Sequence, residues 1–115
     1  MKLKLLRFKS VKSTNDIALR LAQKINSKPT MIVSETQTHG RGTMGKKWIS
    51  KRGNLFISIF FEMNQKKINF KQFATLNAYL LKNILSKKFF RKIYIKWPND
   101  LLYKKKRYVE YCKKL

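Results

Sequence analysis

The sequence predicts an α+β fold, a mixed β-sheet with helices packed on it, and three observations carry that expectation. Two stretches repeat apolar residues at helical spacing. Several short runs rich in Ile, Val, Phe and Tyr read as strands. Their order is β-α-β-β-α-β-β with short links between strands, which suits layered packing on one mixed sheet. At 115 residues the chain has room for one ordinary domain. Gly and Pro together occupy six positions and 43% of residues are hydrophobic, which argues against a wholly disordered chain.

Leu3, Leu5 and Leu6 within residues 1–11 suggest the first strand. Ser13-Thr-Asn-Asp16 then fits a capping box: Ser13 caps backbone N–H groups, and Asp16 reaches back and favours the positive helix end. Ile17, Ala18, Leu21, Ala22 and Ile25 recur at helical spacing, predicting a helix over about 14–26 that Pro29 ends. Residues 30–35 read as a strand, and 38–47, with three of the four glycines, as a loop. The run Leu55-Phe-Ile-Ser-Ile-Phe-Phe61 reads as a buried strand. Asn69 precedes a helix of about 70–86 whose apolar face is Phe73, Leu76, Leu80, Leu81 and Ile84. Residues 91–96 form a strand with Ile93 and Ile95 on one face and Tyr94 and Lys96 on the other. Trp97-Pro-Asn-Asp100 turns the chain, and Leu101–Tyr103 resumes a strand.

Charge is the most conspicuous bulk property: 28 Lys+Arg against 5 Asp+Glu, a formal +23. Such a chain invites a nucleic-acid partner through phosphate neutralisation. The charge is spread evenly, however, at +11 over residues 1–57 and +12 over 58–115, with no basic arm. Lys, Asn, Ile and Phe supply 48 residues, whereas Gly, Ala, Arg and Pro supply 16. That balance follows A/T-rich codons, so genome composition accounts for the charge better than a nucleic-acid site does. One cysteine, Cys112, excludes an internal disulfide, and with one histidine it makes no zinc cluster. No apolar run approaches the roughly 18 residues needed to span a bilayer, so a cytoplasmic protein without membrane contact is expected.

Three motifs carry chemistry. Gly40-Arg-Gly-Thr-Met-Gly45, followed by Lys46-Lys-Trp48, allows close backbone approach and presents N–H groups and cations to an anion, with Trp48 as a flat face for a ring. It is neither a P-loop nor a dinucleotide fingerprint, and taken alone it reads equally as a hairpin loop with solvated lysines. Lys96-Trp-Pro-Asn-Asp100 sets a cation, an amide and a carboxylate at a strand end, or is simply a polar turn. Ser13-Thr-Asn15 is a helix cap whose hydroxyls and N–H groups could also hold a carboxylate or ureido oxygen.

Taken together and in order, with Glu35-Thr-Gln37 and Gly53-Asn-Leu55 between them, these motifs closely resemble the catalytic domain of biotin protein ligases, the biotin–(acetyl-CoA-carboxylase) ligases, from about Leu5 to Lys106. The resemblance implies ATP-dependent activation of biotin to biotinyl-5′-AMP with Mg²⁺, then transfer to a lysine of a biotin carboxyl-carrier domain. It assigns biotin to Ser13, Thr14, Asn15, Gln37, Arg41, Gly42 and Thr43, and ATP to Gly40, Gly45, Lys46, Trp48, Asn99 and Asp100. Arg41, which orders the loop over the adenylate, and Lys96 are the implied catalytic residues. No metal-ligand set is assigned. His39, where the family commonly has a small residue, is an incidental loop position. A small basic nucleic-acid-binding protein, or a related lipoate or octanoate transferase, stands as the alternative, and a homodimer is left open.

The sequence also departs from the family pattern. Thr43 stands where a second arginine is frequent, which implies looser retention of the adenylate. The chain starts close to the catalytic motifs, so no winged-helix segment and no specific DNA binding are expected. The family's catalytic lysine, seven positions after the aspartate, corresponds to Arg107, and Arg does not substitute freely for Lys at a carboxylate–phosphate site. Residues 1–107 are therefore read as the N-terminal part of a biotin ligase catalytic domain, and 108–115 as a divergent tail. With Val109 written as GTG, A/T-rich codons for Arg107–Cys112 read one base over as Ile-Cys-Gly-Ile-Leu, a family-like strand. A frameshift in the adenine run encoding Lys104-Lys-Lys106 is the expectation that follows. A truncated ligase of impaired activity and marginal stability is implied.

Overall fold

The computed structural model describes residues 2–64, 66–67, 69–89, 92–103 and 106–110. The chain divides into two compact units between Met63 and Asn64.

The first unit is a three-stranded mixed sheet with one helix. Strand β1 (Lys4–Val11) leads into helix α1 (Thr14–Ala22), then β2 (Thr30–Gln37) and β3 (Phe56–Phe60). β2 is central: β1 pairs with it in parallel, from Lys4 opposite Thr30 to Val11 opposite Gln37, and β3 antiparallel, with Ser34 opposite Phe56. Parallel pairing of consecutive strands needs a crossover, and α1 supplies it. α1 packs on β2 and β3, burying Thr14 and Ala18, one turn apart, together with Ile32 and Ser34 of β2.

Two expectations are corrected in this unit. α1 stops at Ala22, short of residue 26. Asn26 is left-handed (φ 59°) and Ile25 is 93% exposed, so the last apolar residue of the sequence pattern lies beyond the helix and packs on nothing. β3 is also not buried on both faces. Among the described residues it pairs with β2 alone and is covered by α1 on one side, so Phe56, Ser58 and Phe60 are half-buried while Ile57 and Ile59 are exposed. An unbroken apolar run cannot reveal that one face lacks a covering layer.

The second unit places helix α2 (Phe70–Phe89) against the antiparallel strands β4 (Ile93–Lys96), β5 (Asp100–Tyr103) and β6 (Lys106–Glu110). Its core is Ala78, Ile93 and Leu101, with Leu81, Leu85, Ile95 and Tyr103 packed around them. The buried stripe of α2 thus runs through Ala78, Leu81 and Leu85. Of the predicted stripe, Leu81 packs on this core, but Leu76, Leu80 and Ile84 are exposed, because α2 carries apolar residues on two faces and only one meets the hairpin. Ile93 and Ile95 face inward and Tyr94 and Lys96 outward, as the alternation predicts. β6 occupies part of the segment read as a divergent tail; residues 111–115, including Cys112, lie outside the described residues. Among the described residues, no helix is long and apolar enough to cross a membrane.

Candidate active site

The N-terminus of α1 is the most densely bonded polar region of the first unit. Ser13 caps the helix: its extended backbone lets Oγ accept from the Asp16 N–H at 3.3 Å. Thr14 follows, and both residues are buried. Gln37, the last residue of β2, reaches across to them. Its Oε1 accepts from the Thr14 N–H at 2.8 Å and from Thr14 Oγ1 at 3.2 Å. A hydroxyl has a single proton, so Ser58 Oγ is the donor in its 2.9 Å contact with Thr14 Oγ1. At the other end of the amide, Gln37 Nε2 donates to Ser50 Oγ at 3.1 Å, and Ser50 Oγ donates to the Trp48 carbonyl at 3.2 Å. The chain of bonds therefore runs from β3 through α1 and β2 to the segment behind the glycine loop. One donor stands outside it: Asn15 Nδ2 is buried and has no hydrogen-bond partner. An unmet buried donor is costly, and this one sits beside two ordered hydroxyls at a helix N-terminus.

The glycine loop leaves β2 directly. The His39 N–H donates to the Lys12 carbonyl at 2.9 Å and the Trp48 N–H to the Gly40 carbonyl at 2.8 Å, which returns the chain on itself. Gly40 is required by space: a Cβ there would lie 2.4 Å from Ser50 Oγ and 2.7 Å from the Trp48 carbonyl oxygen. Gly45 is required by backbone conformation, with φ at +74° after Met44 at +56°. Between them Thr43–Gly45 form a single 3₁₀ turn in place of an irregular loop. The Trp48 ring lies against Gly42, 3.6 Å from where a Cβ would stand. Thr43, Lys46 and Trp48 are exposed, and Met44 is 98% exposed at the tip. His39 pairs locally, Nδ1 to Thr38 Oγ1 at 2.8 Å.

Arg41 is tied to α1. Its Nη2 donates to Asp16 Oδ1, and both side chains are about half exposed. This corrects the capping-box expectation for Asp16. The Ser13 half of the box is present, but the carboxylate turns outward to a guanidinium from a distant loop, a stronger charge-assisted partner than a backbone N–H.

In the second unit, Lys96 and Asp100 are register partners at the closed end of the β4–β5 hairpin. Trp97, Pro98 and Asn99 make the turn, and Trp97 is 78% exposed. Arg107 stands in β6 with its backbone opposite Leu102.

The structure thus brings Ser13, Thr14, Asn15, Gln37, Gly40, Arg41 and Trp48 into one neighbourhood of the first unit. Lys96, Asn99 and Asp100 gather at one hairpin of the second. Sequence reasoning missed Ser50 and Ser58. Ser58 carried a signal: it is the only hydroxyl in the apolar run Leu55–Phe61. Ser50 carried none, because its role depends on the return of the loop.

Residues 7–108 match the Biotin/lipoate A/B protein ligase family. The bifunctional ligase/repressor BirA of Escherichia coli is 33% identical over 92 residues, covering 79% of this chain and 28% of that protein. The biotin protein ligase of Aquifex aeolicus in complex with biotin and ATP superposes with a TM-score of 0.72 at 32% identity, over 90% of this chain and 43% of that one. The biotin acetyl coenzyme A carboxylase synthetase of Helicobacter pylori with bound biotinylated ATP also gives 0.72, at 25% identity, over 92% and 52%. The chain spans between 22% and 29% of the length of the curated relatives it matches. With the family match running through β1, the glycine loop and the β4–β5 hairpin, the chain belongs to the Biotin/lipoate A/B protein ligase family.

Proposed function

We propose that this chain activates biotin with ATP to biotinyl-5′-AMP and transfers the biotinyl group to a lysine of a biotin carboxyl-carrier domain. The observation that supports this most is the polar pole of α1. There Asn15 Nδ2 has no partner, next in sequence to Thr14, which bonds Gln37, and to Ser13, which caps the Asp16 N–H. A ureido carbonyl offers the acceptor that donor lacks. Solved relatives that carry biotin, ATP or biotinylated ATP favour biotin over lipoate or a nucleic acid as the ligand.

The first step joins two anions, the biotin carboxylate and the ATP α-phosphate, with pyrophosphate leaving. Arg41 and Lys46 offset their repulsion from the glycine loop, which folds tightly back on Ser50 and Trp48 because Gly40 has no side chain. Trp48 is assigned to the adenine face, and Lys96, Asn99 and Asp100 to the nucleotide. Mg²⁺ belongs to this proposal. A cation held largely by nucleotide phosphates needs one or two protein carboxylates, and Asp100 fits that demand; when bound, the ion would neutralise phosphate charge. The reading includes a cytoplasmic setting, where ATP is available. Activity is impaired relative to a lysine-bearing ligase because Arg107 stands at the position of the family's catalytic lysine, at the carboxylate–phosphate site of the activation step.

The test is biotin-dependent exchange of pyrophosphate into ATP, followed by mass analysis of a carrier domain for added biotin. Exchange in the wild type, raised by Arg107→Lys, is expected. Absence of biotin-dependent exchange in both would refute the assignment.

A further inference from the structure

The loop between β2 and β3 carries Arg41, Lys46, Lys47, Lys51 and Arg52 over residues 38–52, and no carboxylate. Its internal bonds, the Gly42 N–H to the Lys46 carbonyl at 2.6 Å and the Trp48 N–H to the Gly40 carbonyl, close it on itself. They do not direct its cations toward α1. The charge that does so comes from another element: Asp16 Oδ1 accepts from Arg41 Nη2. Asp16 is well placed for this, because its own N–H is held by Ser13 Oγ in the first turn of α1. The residue after Asn15 is therefore anchored through its backbone and turned outward through its side chain.

We propose that Asp16 is a positioning residue for Arg41, setting the guanidinium over the α1 N-terminus before any ligand arrives. The inference rests on the reading of Arg41 as the residue that orders the loop over the adenylate. The pair is half exposed and so contributes little to global stability. Its effect is local: it counters repulsion within a cationic loop and reduces the ordering that an incoming phosphate must otherwise impose. The head-group contacts at Thr14 and Gln37 do not depend on it.

The test is hydrogen exchange of the ligand-free full chain, comparing wild type, Asp16→Asn, Asp16→Glu, Arg41→Ala and the Asp16→Asn/Arg41→Ala pair. Exchange over residues 38–52 is expected to rise about threefold in Asp16→Asn, the size of an exposed ion pair, with α1 unchanged. Asp16→Glu is expected to restore part of the protection, and Arg41→Ala to reproduce the rise without further increase in the pair. With biotin and ATP, Asp16→Asn is expected to release the adenylate faster by a similar factor while its biotin Kd stays at the wild-type value. Unchanged loop exchange, additive effects of the two substitutions, or a rise in α1 as large as in the loop would overturn the proposal. A wild type that binds no biotin would instead refute the ligase reading, and the ligand-free exchange would still decide the role of Asp16.

Discussion

The pole of α1 and the glycine loop beside it are both polar, yet they are built differently. At the pole, buried hydroxyls and an amide bond one another across three elements, from Ser58 through Thr14 and Gln37 to Ser50. In the loop most side chains are exposed, Met44 almost fully, and a few backbone bonds with the Asp16–Arg41 and Glu35–Arg52 ion pairs hold the shape. Under the proposed function, recognition of a neutral head group is built in before binding, and the cationic part assigned to phosphate is left adjustable. Buried polar networks rigidify when satisfied, and loops from the low-stability end of a fold are the ones that close on ligands.

That contrast can be broken by substitution, beginning where the two regions meet. Gly40→Ala forces a methyl group into Ser50 Oγ and the Trp48 carbonyl. It should cost about 1–3 kcal/mol of stability, the usual range for overpacking, and weaken biotin binding as Ser50 withdraws from Gln37. Thermal unfolding and calorimetric titration check both effects. Asn15→Ala separates binding from folding. It should leave stability unchanged or raise it, since the amide Nδ2 has no partner, while weakening biotin by about 1–2 kcal/mol, the scale of one buried hydrogen bond. A variant destabilised as much as it is weakened would show that Asn15 is structural.

Gly45→Ala confines the effect to the loop. No atom beyond the flanking residues lies within 4 Å of the added methyl, so the positive φ carries the penalty, at about 1 kcal/mol. Faster adenylate release with an unaltered biotin Kd is expected, and a changed biotin Kd would mean that the regions are not separable. Thr43→Arg should have the smallest effect. It adds a cation to the exposed first residue of the 3₁₀ turn and should slow adenylate release by a few fold, the scale of an exposed charge interaction. Rapid-quench measurement of the release rate reads it.

Much of this architecture was legible in the sequence, and the exceptions have physical causes. The helix cap at Ser13, the strand starting at Thr30 (which runs two residues past its expected end, to Gln37), the glycine loop and the inward pair Ile93 and Ile95 follow from local chemistry and period, which the sequence states directly. Ile25, the outer face of β3 and the buried stripe of α2 were misjudged. Each depends on what packs against an element, and apolar residues on two faces of one helix do not say which face wins. The site divides in the same way. Ser13, Thr14 and Gly40 have local reasons to be where they are. The Asp16–Arg41 pair joins residues 25 positions apart, and the bond from Ser58 to Thr14 spans 44. Such pairings follow from the β-α-β crossover and not from any pattern within either segment.

Calorimetric titration of biotin into the ATP-free chain, with Asn15→Ala and Gln37→Ala alongside, decides whether the α1 pole is the ready-made biotin site proposed above. Saturable one-to-one binding by the wild type, weakened in both variants, is expected. Failure of the wild type to bind biotin, or variants that bind it equally well, would contradict it.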